Sequence, residues 1–216
     1  MVLGVIAGCT AFGEGAVTDW GALHLQEIGA TPALAAAGYA GFSLAMACGR
    51  LAGNGLVHAL GPSRVVTGGA LLATAGALVV ATVPDVGTVL AGFVLIGLGL
   101  ANVFPIAIAR AGARAGAGGV ALASTVGYTG LLGGPPLLGI VAEAVGMPVA
   151  FAAVAALAAV AAALAVPAFG SGERALTAVR TAVARHTARL GVLHTQLSGP
   201  AADRRPYPGL EALGAH

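Results

Sequence analysis

Residues 1–27, MVLGVIAGCTAFGEGAVTDWGALHLQE, decide the fold of this chain. The run begins without a charged side chain, then places Glu14 and Asp19 where an apolar helix should carry none. A carboxylate at membrane depth costs roughly 2.5–3.5 kcal/mol on insertion scales unless it faces a cavity or a partner. The stretch therefore predicts a membrane helix that forms one wall of a polar path through a helical bundle.

Composition supports a membrane setting throughout. Of 216 residues, 58% are hydrophobic and 8% charged, with a mean hydropathy of +0.94. A soluble domain carries about 25% charged residues, so a water-soluble fold is excluded. There is no lysine, and six of the ten arginines follow Gly172. The net charge of +2 says less than that placement, and nothing in it points to nucleic acid. Cys9 and Cys48 stand in apolar runs without ligand-type neighbours, which gives neither a metal pattern nor a disulfide framework. A signal peptide is rejected as well, because the first segment has no basic leader and the chain stays apolar long after it.

About 20 apolar residues cross the hydrocarbon core as a helix. Six segments meet that length: roughly 1–25, 33–57, 65–83, 87–109, 119–142 and 148–169. Between them lie turn-forming sequences: GATP at 29–32, HALGPSR at 58–64, PD at 84–85, AGARAGAGG at 111–119 and GMP at 146–148. The predicted fold is all-α, a polytopic bundle of six transmembrane helices over residues 1–169 followed by a cytoplasmic tail, 170–216. Counting loops alternately, Arg64, Arg110, Arg114 and the tail fall on one side, and Glu27, Asp85 and Glu143 on the other. Positive charge inside then places both termini in the cytoplasm of a cell bounded by this inner or plasma membrane.

Small residues recur at helical spacing. Gly49 and Gly53, and Gly130 and Gly134, are four apart, which permits close backbone packing where lipid supplies no hydrophobic force. Two helices are interrupted internally, by Asn102-Val-Phe-Pro105 and by Gly133-Gly134-Pro135-Pro136. Proline removes a backbone donor. The freed carbonyls are tolerated at membrane depth only where protein or a water-filled cavity satisfies them. Such breaks mark either a binding site or a kink that shapes the bundle. In the tail, Leu176, Val179, Val183, Leu190, Leu193 and Leu197 share one stripe, opposite Arg174, Arg185 and Arg189. That predicts an amphipathic helix over 173–197, at an anionic membrane surface or on the cytoplasmic loops. The remainder lacks periodicity and is expected to be disordered.

Several motifs together resemble the C-terminal half, helices seven to twelve, of a major facilitator superfamily transporter. Gly13-Glu14-Gly15-Ala16-Val17 with Asp19-Trp20 resembles the seventh helix of a bacterial branch. Gly49-Arg50-Leu51-Ala52-Gly53 followed by Gly61-Pro62-Ser63-Arg64 resembles the loop joining helices eight and nine. Residues 97–105, GLGLANVFP, resemble helix ten; Gly127-Tyr128-Thr129-Gly130 with 133–136, GGPP, resembles helix eleven. The likeness covers residues 1–169. One departure stands out: the acidic and basic residues usual before the glycine matching Gly61 are replaced by His58 and Ala59. The family's first six helices have no counterpart here. The resemblance therefore implies a fragment, a misplaced start, or a half that pairs with a second half-transporter chain.

The resemblance also implies that the first, second, fourth and fifth helices line a central path, while the third and sixth face lipid. Glu14 is the foremost candidate on that path, about 20 Å along its helix at 1.5 Å per residue. It is either a proton-exchanging group or a structural hydrogen-bond partner. Asp19, Tyr39, Asn102, Thr125 and Tyr128 are further path candidates, each also explicable by bonds between helices. Asp19 points about 140° away from Glu14 and, with Trp20 and His24, suits the outer interface. Arg50, Gly53, Gly61 and Arg64 are gate or loop candidates. Arg50 is expected near the cytoplasmic end of its helix, snorkelling or bonding helix-end carbonyls. Pro105, Pro135 and Pro136 mark the breaks.

No phosphate-binding loop with lysine, paired metal ligands or nucleophile elbow occurs, so neither an enzyme nor a cofactor is expected. The expected partners are the lipid bilayer, a small solute and the missing half. The function implied is transmembrane transport of that solute by alternating access, with proton coupling as one driving force. The alternative is a non-transporting six-helix membrane protein, a remnant or an interaction partner.

Overall fold

A computed structural model of the protein describes residues 1–170, and the predicted tail helix and its disordered extension lie outside them. The described chain is helical almost throughout: α1 is Val2–Glu27, α2 Pro32–Leu60, α3 Pro62–Thr82, α4 Val86–Val145 and α5 Met147–Gly170. Helix limits follow local chemistry. Thr31 accepts a hydrogen bond from the Leu34 amide at 3.3 Å and precedes Pro32, whose missing N–H suits a first helical turn. Gly61, at φ +83°, stops α2 in a conformation that costs a residue without Cβ little. Pro62 then opens α3 at once. Asp85 caps α4 by accepting from the Thr88 amide at 2.8 Å.

The prediction of six membrane helices is corrected here. Five helices among the described residues are long and apolar enough to cross a membrane, because the predicted segments 87–109 and 119–142 both fall within α4. α4 has two arms, Val86–Leu100 and Val103–Val145. Residues 111–119, whose glycines predict a loop, are helical except at Ala115 (φ −140°, ψ 21°) and Gly116 (φ 58°, ψ −146°). Alanine, the strongest helix former, alternates with those glycines and keeps the departure to two residues.

Close contacts give the helix directions. α1 runs antiparallel to α2, with Leu25 against Gly38, and antiparallel to α5, with Gly13 near Val154. The first arm of α4 runs parallel to α2, from Gly38 beside Leu90 to Gly49 beside Ala101, and antiparallel to α3 through Gly76–Gly92 and Gly69–Gly99. Beyond Gly116 the second arm follows α1, from Gly4 beside Ala123 to Trp20 beside Gly139. The chain turns back at Ala115–Gly116, where Gly119 closes on the Ala111 carbonyl, so the lengths of α4 before and after that turn lie along α1 in opposite directions.

Two apolar clusters fill the interior. One gathers Val17, Leu25, Phe42, Phe93, Ile96 and Phe151, with Ile28, Val86 and Ala142 at its margin. The other gathers Leu3, Ile6, Val66, Val103, Ala107 and Phe169. Between them, where α1, α2 and α4 meet near Leu100, the polar residues converge.

Candidate functional site

Glu14 stands midway along the 26-residue α1. Its carboxylate Oε1 lies 3.7 Å from Nη2 of Arg50 on α2, with the two side chains 33% and 52% exposed. The same guanidinium donates through Nε to the carbonyl of Ala101 at 3.4 Å. That carbonyl is available because Pro105, four residues on, has no N–H to return to it. Asn102, at the junction of the two arms of α4, donates through Nδ2 to the Gly49 carbonyl at 2.7 Å. The amide of Asn102 occupies the notch left by Gly53, where a Cβ would overlap its Oδ1. Three helices are therefore joined by one polar cluster of Glu14, Arg50, Asn102 and two backbone carbonyls.

The cluster draws on separate expectations: Glu14 as a charge in an apolar run, Arg50 and Gly53 from the family resemblance, and Asn102 and Pro105 from the break at 102–105. Glu14, Arg50, Gly53, Asn102 and Pro105 come together. Arg50 does bond a helix-end carbonyl, but it is not near the end of its helix: it lies about 15 Å inside the Leu60 terminus at 1.5 Å per residue. The pairing with Glu14 left no signal in the sequence, since it depends on how α1 and α2 are rotated against each other.

The other candidates are elsewhere. Asp19 and Tyr39 are exposed. Thr125 bonds its own helix at the Ala121 carbonyl, 2.9 Å, and Tyr128 tilts against Phe104 with ring centroids 6.0 Å apart. Arg64 is exposed in the first turn of α3, after Gly61. Pro135 and Pro136 free the carbonyls of Leu131 and Leu132. Gly15 packs against the Leu131 carbonyl, and Trp20 Nε1 donates to the Pro135 carbonyl at 3.0 Å. Trp20 is thus held between α1 and α4.

His24 also packs inward. It is 2% exposed, its Nε2 meets the Val80 carbonyl at 3.3 Å, and its ring lies 5.1 Å from that of Phe151. A carbonyl in need of a donor holds the ring inside the bundle.

At the Met1 end, Arg114 donates to the Ala168 carbonyl and the Arg110 guanidinium sits 5.9 Å above the Phe169 ring. These arginines tie α4 to the end of α5, a role no sequence spacing announced. A cavity of about 260 Å³ opens there, lined by Met1, Leu3, Ala111, Arg114 and Ala123 among others. It is separate from the Glu14 cluster. Among the described residues no three His, Cys, Asp or Glu side chains gather as metal ligands.

No protein-family model matches the chain. Three curated proteins do resemble it. An uncharacterized MFS-type transporter of Yersinia pestis is 36% identical over 159 residues, covering 72% of this chain and 41% of that protein. Membrane protein MosC of Rhizobium meliloti is 34% identical over 151 residues, 68% of this chain and 37% of its own length. An uncharacterized transporter of Sinorhizobium fredii is 38% identical over 154 residues, 69% and 41%. The chain thus spans about two fifths of the length of these relatives. They are named as transporters or as a membrane protein, not as enzymes. With its five long apolar helices, this chain is a multi-pass helical membrane protein and a distant homologue of MFS-type transporters.

Proposed function

We propose that this chain is the C-terminal half of an MFS-type secondary transporter that moves a small solute across the plasma membrane by alternating access. A second half, on the same polypeptide or another, supplies the facing wall. The observation that carries this reading is the polar cluster at mid-helix: Glu14 paired with Arg50, and Arg50 bonded to the carbonyl that Pro105 frees. Charged side chains and carbonyls freed by proline inside apolar helices are costly and accompany ion and solute pathways. Homology to MFS-type transporters supports the same reading.

Glu14 is the proton-exchanging group in this proposal, and Arg50 its counter-charge. The end bearing Arg64, Arg110 and Arg114 is cytoplasmic, in keeping with the excess of positive charge on that side of membrane proteins. The solute's chemistry is that of a small polar molecule, handled by Glu14, Arg50 and Asn102.

The test is accumulation of a labelled panel of sugars, organic acids and cationic dyes in cells with and without the protein. The expected result is a difference for at least one compound that disappears when the proton gradient is collapsed and in Glu14→Gln. Identical accumulation by wild type, Glu14→Gln and cells lacking the protein would sink the transport reading. A thiol probe reaching a cysteine introduced beside Arg64 from the outside would sink the orientation.

A further inference from the structure

Arg110 and Arg114 are one helical turn apart on α4 and so share a face. Both reach the last described residues of α5, Arg110 over the Phe169 ring and Arg114 at the Ala168 carbonyl. Neither meets a carboxylate among the described residues. None is within reach along the chain either, because residues 1–13 and 86–142 contain no Asp or Glu. The pair also keeps unused donors. The Nε of Arg110 is buried without a hydrogen-bond partner among the described residues. A guanidinium carries a fork of N–H groups, of which Arg114 uses only Nη2. Two uncompensated positive charges with spare donors therefore stand side by side.

Arg114 also lines the cavity of about 260 Å³ between the start of α1 and the turn of α4. That volume is below the roughly 300–1,000 Å³ of a pocket for a drug-sized ligand. Its inner wall is apolar, with Leu3, Gly4, Ala111 and Ala123, while Arg114 and Ala115 stand at the turn. We propose that this cavity binds a phosphate group, with Arg114 donating to its oxygens and Arg110 supplying a second positive charge beside it. The arginine fork matches the geometry of phosphate oxygens. The apolar inner wall favours a phosphate carried on hydrocarbon, the headgroup of an anionic membrane lipid, over the free ion. Basic pockets between membrane helices hold such headgroups. Once bound, the lipid bridges the first turn of α1 and the turn at Ala115–Gly116. The inference does not depend on the chain being a transporter.

The test is photo-crosslinking of the full chain in phosphatidylcholine nanodiscs that carry a small fraction of phosphatidylglycerol with a diazirine near its glycerol. Labelled residues are mapped by mass spectrometry. The six arginines after Gly172 also attract anionic lipid, so only the cavity positions 1–4 and 119–123 are read. Labelling there is expected in wild type and should fall about tenfold in Arg114→Gln, the loss of one charged hydrogen-bonding group. Arg64→Gln, exposed at the same end but outside the cavity lining, should label as wild type does. Phosphatidylcholine bearing the same diazirine should label these positions well below phosphatidylglycerol, because its ammonium opposes the arginines.

Leu122→Trp keeps both arginines and fills the cavity from an exposed position. It should lower labelling of residues 1–4 by a similar factor, and it serves if Arg114→Gln fails to insert. Inorganic phosphate at millimolar concentration, set against chloride of equal ionic strength, separates the two sources. Labelling that resists phosphate assigns the cavity to the lipid headgroup, and labelling that phosphate abolishes assigns it to the free anion; each upholds a phosphate site. An equal effect of Arg114→Gln and Arg64→Gln, or equal labelling by the two lipids, overturns the proposal.

Discussion

His24 on α1 is the cross-helix partner of Val80 on α3: its Nε2 lies 3.3 Å from the Val80 carbonyl. The residue four places after Val80 is Pro84, so that carbonyl has no amide of its own helix to accept from. The relation repeats that of Arg50 with Ala101 and Pro105. Each time, a proline leaves a carbonyl unpaired and a side chain from another helix reaches it.

His24→Ala should therefore destabilise the bundle by about 2–4 kcal/mol. It leaves the buried carbonyl unpaired, at about 1–3 kcal/mol, and opens space beside Phe151. His24→Gln, which keeps an N–H donor, should recover part of the loss. Thermal unfolding in detergent compares the three, and equal melting of wild type and His24→Ala would refute the assignment.

Gly53→Ala places a Cβ on the Asn102 amide and should cost about 1–3 kcal/mol by overpacking, breaking the Asn102–Gly49 bond. Gly55→Ala, on the same helix but with nothing within 4 Å, should be neutral or slightly stabilising. The contrast between the two, read by the same unfolding assay, is the prediction.

Gly130→Ala should loosen α4 from α1, because its Cβ would run into the backbone carbonyl of Gly8, which cannot turn aside. Gly133→Ala meets open space and serves as control. A lower melting temperature for both, or for neither, would contradict this packing.

Asp85, exposed between α3 and α4, accepts from the Thr88 amide at 2.8 Å and from its hydroxyl at 2.7 Å. These bonds hold its carboxyl below the usual carboxylate value, the hydroxyl bond first and the amide bond second. Its capping effect is thus complete above the ordinary carboxylate range and fades as pH falls through the lowered value. Hydrogen exchange at the start of α4 should quicken over that acid range in wild type. In Asp85→Asn it should show no such step.

Much of this architecture was legible in the sequence because membrane helices announce themselves by length. Their ends follow from Thr31-Pro32, Gly61-Pro62 and Asp85. The break at 102–105 and its polar residues were legible too, since proline's missing donor is a local fact. The number of separate helices was not, because among the alternating alanines and glycines of residues 111–119 only Ala115 and Gly116 leave the helical range. Nor were the partners. Glu14 with Arg50, His24 with Val80 and Trp20 with Pro135 depend on how helices are rotated about their axes. No spacing within one segment records that.

The glycine contacts have a mechanical consequence. Gly69–Gly99 and Gly76–Gly92 bring α3 and the first arm of α4 to backbone contact, and Gly8–Gly130 does so for α1 and the second arm. Plates seated backbone to backbone have little side-chain padding to slide on, so each behaves as a stiff leaf. The chain passes from one leaf to the other through the turn at Ala115–Gly116. A substance lodged at that turn would fix how the two leaves meet without touching Glu14.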